Sequence, residues 1–293
     1  MRRALSAWLD SLGSKFINSG NASAGERFYK LATTVEPRWS VPWYNLGLHT
    51  KNTGRWSESM RFNQHALELD PSDEAAWWNL GIAATALRNW TEARRAWKGC
   101  GIELEDRTGE VRMPAVTACV RLDPSSSGEV VWGQRLDPAR MVILSVPLPE
   151  SGHRFNDIVL NDGAANGTRV DSKGEEVPVF DELSLWKPSQ YSTFRVKLEM
   201  PDDSAQENLV ELCVENELGV EDWTTIRMLC AECSRGSPKP HECEAKPLEA
   251  GYTRFGFGAK KSEDLARVLE EWSSTNTGAE FGDLEIVLSA SLQ

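Results

Sequence analysis

The chain has 293 residues, of which 40% are hydrophobic and 26% charged, enough apolar content for a well-cored protein of about two domains. Its formal net charge of −12 opposes binding to phosphate backbones and anionic lipid surfaces. No apolar run approaches the roughly 20 residues of a bilayer-spanning helix. Asp10 interrupts the apolar stretch that follows Arg2 and Arg3, so no signal-peptide core is expected and the cytoplasm is the expected location.

From the N-terminus, the first pattern is a repeat. Trp43–Tyr44–Asn45–Leu46–Gly47 returns as Trp77–Trp78–Asn79–Leu80–Gly81 at an offset of 34 residues, which also relates Pro37 to Pro71, Trp56 to Trp90 and Glu58 to Glu92. Leu9, Leu12 and Gly13 stand at the same offset before Trp43, Leu46 and Gly47, with Phe16, Gly25, Tyr29, Ala32 and Pro37 completing a first unit. Fixed periods of this size mark stacked supersecondary units. The small residues Gly13, Gly47 and Gly81 suit close approach of two helices, and Pro37 and Pro71 suit the breaks between units.

The pattern resembles the tetratricopeptide repeat (TPR), W-x2-L-G-x2-Y…A-x3-F…P. The resemblance implies three helical hairpins at about 5–38, 39–72 and 73–106, within an N-terminal domain of residues 1–108. The second unit departs from the pattern at Thr50 and Asn63, and the third lacks the closing proline, with Glu105 in its place and Cys100 read as a buried small residue. Helical arrays need capped ends, and Glu103–Gly109 offers no obvious cap.

The resemblance also implies a concave groove that binds another protein or peptide. The slot after the first tryptophan and the slot four residues later face it, which selects Tyr44 and Leu48 from the second unit and Trp78 and Ile82 from the third. Lys51 is a nearby base. Residues four apart share a helix face, so an apolar-aromatic patch follows, suited to an apolar peptide or helix or to the chain's own C-terminal part. The carboxylate-clamp members of the family need a basic, Asn-rich groove, so a chaperone co-factor role is not expected.

Short alternating stretches follow at 116–122, 130–136, 141–146, 157–160 and 177–180, with turns at Asn161–Asp162–Gly163 and Asn166–Gly167. They suggest a barrel-like or sandwich-like β segment over 109–190. Asp181 and Glu182 are read as an acidic loop. Over 191–293 the pattern becomes strand–helix–strand twice: strands at 191–200, 225–229, 253–259 and 284–288, and helices from Ser204 toward Glu217 and over 262–272. This predicts a ferredoxin-like βαββαβ domain, a plan that fixes no activity. Gly256 and Gly258 are read as strand glycines beside a close neighbour, and Ser262 as a helix N-cap.

Between these units, the 230–243 loop carries Cys230-x2-Cys233-x7-His241-x-Cys243, a set able to hold one tetrahedral Zn2+ in a structural role. Incidental cysteines are the alternative reading. The four histidines are scattered and no HExxH, G-x-S-x-G or P-loop pattern occurs, so no catalytic residue is assigned.

Charge divides the chain too. Residues 1–106 carry 13 Lys+Arg and 12 Asp+Glu, whereas residues 107–293 carry 19 and 32. The expectation is therefore a non-enzymatic adaptor or scaffold with an acidic C-terminal domain. One alternative is an inhibitor or immunity-type protein that neutralises a basic toxin or nuclease. Another is an enzyme with its site in the C-terminal half.

Overall fold

The computed structural model describes residues 1–104, 108–124, 128–171, 173–223 and 254–290. The chain divides into two units, Met1–Pro114 with Leu136–Ala139, and Ala115–Arg135 with Arg140–Gln293. The strand proposed at 225–229 and the Cys/His set Cys230, Cys233, His241 and Cys243 lie outside the described residues.

The first unit contains six helices: α1 (Arg2–Asn18), α2 (Ala22–Val35), α3 (Ser40–Asn52), α4 (Trp56–Leu69), α5 (Glu74–Ala86) and α6 (Trp90–Gly99). They fit a TPR-type array, and the repeated letters correspond to repeated contacts. A Cβ on Gly13 would lie 2.5 Å from Tyr29 Cδ1, one on Gly47 2.4 Å from Asn63 Nδ2, and one on Gly81 2.5 Å from Trp97 Cη2. In each hairpin the glycine of the first helix thus receives the side chain sixteen residues later, aromatic in the first and third hairpins and Asn63 in the second. The Pro-x5-Trp spacing has its own cause: the indole N–H of Trp43 donates to the Pro37 carbonyl at 3.0 Å, and that of Trp77 to Pro71 at 2.9 Å.

The turns inside the hairpins are equally regular. After α1, α3 and α5 the residues Gly20, Gly54 and Arg88 adopt left-handed φ of +83°, +69° and +58°. Their N–H groups donate to Ile17, Lys51 and Thr85, and the next N–H groups to Phe16, Thr50 and Ala84, which closes a Schellman motif each time. The same motif ends α6 at Gly99, with Gly101 at φ +74° and bonds to Lys98 and Trp97. The third hairpin therefore stops before Glu103–Gly109, and Cys100 is a half-buried cap residue instead of a fully buried packing residue.

The second unit opens with a closed five-stranded barrel: β1 (Val116–Arg121), β2 (Val130–Asp137), β3 (Arg140–Ile143), β4 (Ile158–Val170) and β5 (Glu176–Lys187). β1 runs antiparallel to β2 and closes the ring in parallel register with β5. Alternation places Ala118, Val120, Leu122, Val131, Met141, Ile143, Val159 and Phe180 together in one core. The two Asn/Gly turns expected after residue 160 are instead inside β4. Its register against β5 shifts between Asn161 and Ala165 and again between Ala165 and Thr168. Asn and Gly serve there as bulge residues that bend one long strand around the barrel.

Next, a sheet in the order β10-β6-β8-β7 combines β6 (Ser192–Glu199), β7 (Gly219–Asp222), β8 (Arg254–Ala259) and β10 (Glu285–Leu288), all antiparallel. The short β9 (Glu280–Phe281) pairs with the far end of β6. Helices α7 (Asp203–Glu215) and α8 (Ser262–Thr275) share its core, where Leu209, Cys213, Leu265, Val268, Leu269 and Trp272 meet Phe194, Val196 and Phe257. Asp202 caps α7 by accepting the Ala205 N–H at 2.8 Å. Ser262 is the first residue of α8, not its cap, and the capping residue Lys261 makes no side-chain cap bond.

The strand glycines have the close neighbours their sequence suggests. A Cβ on Gly256 would lie 2.2 Å from Trp223 Cε2, and one on Gly258 2.6 Å from Phe155 Cβ. Trp223 is fully buried and donates its indole N–H to the Val146 carbonyl at 2.9 Å, so it fastens the sheet to the segment after β3.

Candidate protein-binding groove

The five residues selected for the groove differ in accessibility. Tyr44 and Leu48 on α3 are half-buried, and Tyr44 packs against the cluster of Ala66, Leu67, Ala76, Leu80 and Ala96 between the second and third hairpins. Trp78 is half-buried and sits edge-on to Trp97, with ring centroids 5.3 Å apart. Ile82 is 0% exposed and Lys51 2%. Accessible surface therefore concentrates on Tyr44, Leu48 and part of Trp78.

The 34-residue register that picks Tyr44 and Trp78 also picks Asp10, and the register of Leu48 and Ile82 picks Ser14; neither was singled out from the sequence. Asn45 Nδ2 donates to Asp10 Oδ1 at 2.8 Å, tying α3 to α1. Burial raises the Asp10 pKa against the pull of that hydrogen bond. Ser14 Oγ lies 3.1 Å from the Tyr29 hydroxyl. The first-helix positions thus run from polar at the first hairpin to aromatic and apolar at the second and third.

Behind these positions, Glu26 on α2 locks the first hairpin to the second. Arg55 donates to both its carboxylate oxygens, at 3.2 and 2.8 Å, Lys30 lies 2.8 Å away and His49 3.5 Å. Burial pushes the Glu26 pKa up, but the hydrogen bonds from Arg55 and Lys30 outweigh it and bring it down to about 2. Arg55 stands 34 residues from the capping residues Asn21 and Asn89; it makes this bidentate pair instead of capping α4.

The second unit holds polar groups that sequence reading passed over. Asp181 and Glu182 belong to β5 and not to an acidic loop. Asp181 pairs with Arg121, and its other oxygen accepts from Asn166 Nδ2 at 2.8 Å. Glu182 Oε1 lies 3.1 Å from His153 Nε2, while Asp157 Oδ2 is 3.7 Å from His153 Nδ1. Burial works against the imidazolium, but the two carboxylates prevail and raise the His153 pKa to about 9. With His153 only 9% exposed and Asp157 held by the Arg154 and Ser189 N–H groups at 2.8 and 2.6 Å, this is a structural ion network.

A cleft of about 610 Å3 in the same unit is lined by Leu144, Phe155, Tyr191, Val210, Val214 and Lys260, among others. Lys260 Nζ lies 3.6 Å from Glu217 Oε2 and 5.0 Å from the Tyr191 ring centroid. Its walls are mainly apolar, with Lys260, Glu217 and Tyr191 as the polar cluster in its lining. Among the described residues no group of three or more His, Cys, Asp or Glu side chains could hold a metal ion, and no helix is long and apolar enough to cross a membrane.

No protein-family profile matches the chain, and no curated protein matches it. Among solved structures it is similar to the second TPR domain of Spaghetti (RPAP3) bound to the HSP90 peptide SRMEEVD, at 17% identity and a TM-score of 0.32, covering 33% of this chain and 91% of that one. It is likewise similar to the first TPR domain of the same protein with the same peptide, at 18% identity and a TM-score of 0.32, covering 33% and 77%. Those proteins bind that peptide; in this chain the fold assignment rests on its own thrice-repeated helix contacts.

Proposed function

We propose that this protein is a non-enzymatic, cytosolic adaptor or scaffold whose helical array binds a peptide or helix of another protein. One observation carries the reading: three hairpins built on the same glycine contact with the residue sixteen positions later, the architecture of an interaction array, with Tyr44 and Leu48 part-exposed on the helix whose Asn45 binds Asp10. An acidic anchor next to an aromatic one favours a segment that offers a donor or cation beside an apolar side chain. It disfavours a C-terminal carboxylate. The acidic second half, read as a barrel followed by a ferredoxin-like sheet, supplies a second contact, and a basic protein is the partner its charge suits.

The test is quantitative capture from host lysate with wild-type protein and with the Tyr44→Ala, Leu48→Ala double variant. A specific partner lost at least tenfold from the variant, with unchanged circular dichroism, is the expected result. Equal capture by both would move the interaction away from the groove. Cys230, Cys233, His241 and Cys243 are proposed as a structural zinc set. Plasma mass spectrometry should find one zinc per chain, absent after Cys230→Ser and Cys233→Ser; a metal-free wild type rejects it.

A further inference from the structure

The cleft of the second unit takes Val210 and Val214 from the outer face of α7. The more buried part of its lining is an aromatic pair, Phe155 and Tyr191, set edge-on with ring centroids 5.0 Å apart. Tyr191 is fixed by donating its hydroxyl to the Glu217 carbonyl at 3.0 Å, and Phe155 by Gly219 and Gly258, whose missing side chains leave it room. Leu144, Val210 and Val214 are 44%, 42% and 69% exposed. A hollow with a rigid aromatic base and accessible aliphatic walls suits an apolar side chain from a partner.

Beside this apolar row on α7 runs an acidic one. Asp203, Glu207 and Glu211 are exposed and stand one turn apart, and Val210 borders a neighbouring hollow together with all three. From 202 to 217 the chain has six carboxylate side chains and no Lys or Arg. Among the described residues none of Asp203, Glu207 and Glu211 belongs to an ion pair. Lys260, the cation in the cleft lining, pairs instead with Glu217 at 3.6 Å. The acidic row works against its own helix. Like charges four residues apart repel, and Glu215 stands at the carbonyl end, where the helix dipole disfavours an anion. A cationic partner would relieve both.

The two rows select the shape of that partner. Val210–Val214 and Glu207–Glu211 lie side by side, and each repeats at about 6 Å, the rise of four helical residues. A second helix with an apolar row and a basic row at the same spacing meets both at once, whereas a strand presents a single row on each face. Nucleic acid and anionic lipid are repelled by the same carboxylates. From this geometry we infer that α7 and the adjoining cleft dock a basic amphipathic helix of another protein. Its apolar side chains enter the cleft, and its Lys or Arg row lies along Asp203, Glu207 and Glu211. The inference rests on the reading of the acidic second half as a contact for a basic protein, and gives that contact a location.

Fluorescence anisotropy of the full chain with a labelled probe tests it, the probe being a synthetic amphipathic helix with leucines along one face and lysines along the other. Wild type should bind it with an affinity that falls steeply as salt rises, and should not bind the same peptide with glutamate in place of lysine. Glu207→Gln with Glu211→Gln should weaken binding about fivefold, and Val210→Ser with Val214→Ser about tenfold. All four side chains are exposed, so circular dichroism should not change. Glu270→Gln with Glu271→Gln, at exposed positions of α8, should leave binding at the wild-type level, as should Tyr44→Ala with Leu48→Ala. Equal weakening by the α8 pair overturns the site while keeping a basic partner for the second half. A wild type that does not bind the probe overturns both. Weakening by the Tyr44 and Leu48 pair, with the α7 variants binding normally, overturns the inference by assigning the probe to the helical array.

Discussion

At the scale of single residues, glycine does two separate jobs in the array. Gly13, Gly47 and Gly81 leave room for a facing side chain, whereas Gly20 and Gly54 supply a left-handed turn with nothing near the missing Cβ. The two jobs predict different outcomes for the same substitution. Gly81→Ala should gain roughly 1 kcal/mol of helix propensity but force a methyl against Trp97, which is fully buried and cannot retreat. The net expectation is a loss of about 1–2 kcal/mol, measured by denaturant unfolding; a gain would mean that the Trp97 contact is soft. Gly54→Ala has space but the wrong backbone sign, and about 1 kcal/mol should be lost. Arg88 occupies the equivalent turn at φ +58°, so that position already carries the strain Gly54 avoids.

At the scale of elements, the helices were legible in the sequence and the strands only in part. The 34-residue period repeats the glycine contact and the left-handed turn of each hairpin, so three weak signals reinforce one another. Pro37 and Pro71 mark real boundaries because their carbonyls hold Trp43 and Trp77. No such redundancy exists in the barrel. Asn161, Gly163, Asn166 and Gly167 carry turn chemistry, yet pairing with β5 keeps them in β4, because the closed ring satisfies backbone groups that a turn would release. Asp10 was missed for a different reason: its polar side chain does not resemble Tyr44 or Trp78, and only the register identifies it.

The sheet glycines give an element-scale prediction. Gly256→Ala should cost about 2 kcal/mol by overpacking Trp223, and Trp223→Ala should cost about 3–5 kcal/mol through the cavity it leaves. If their contact is the cause, the two losses will not add: in the Trp223→Ala background the Gly256→Ala penalty should nearly vanish in a double-mutant cycle. Additive losses would mean that Trp223 does not set the need for glycine.

At the scale of the whole molecule, Glu26 of the first unit and Glu129 of the second titrate in opposite directions. Glu26, held at about 2, lies below its unfolded value of about 4.3. Its contribution to the first unit is present above that value and is lost as pH falls toward 2. Glu129 in the second unit is the reverse. Burial, with Glu221 and Glu150 nearby, pushes its carboxyl up to about 7, although the Leu148 N–H, 3.0 Å away, and His153 pull it down. The stability it confers is complete below about pH 4.3 and disappears as pH rises to about 7. His153 continues the trend, with a contribution complete below about pH 6.5 and lost through about 9. The second unit should therefore lose thermal stability steadily from mildly acidic to alkaline pH. Glu129→Gln should flatten the lower part of that slope and add about 3 kcal/mol at pH 8, readable in Tm against pH. An unchanged slope would place the Glu129 carboxylate in contact with water.

The central claim is that the face of the first helices is the working surface. Amide hydrogen exchange on the complex with a captured partner tests it most directly. The account predicts slowed exchange in α1 and α3 around Asp10–Ser14 and Tyr44–Leu48, whether or not the second unit is also protected. Protection confined to the barrel and sheet of the second unit, with the helices exchanging as in the free protein, would contradict it.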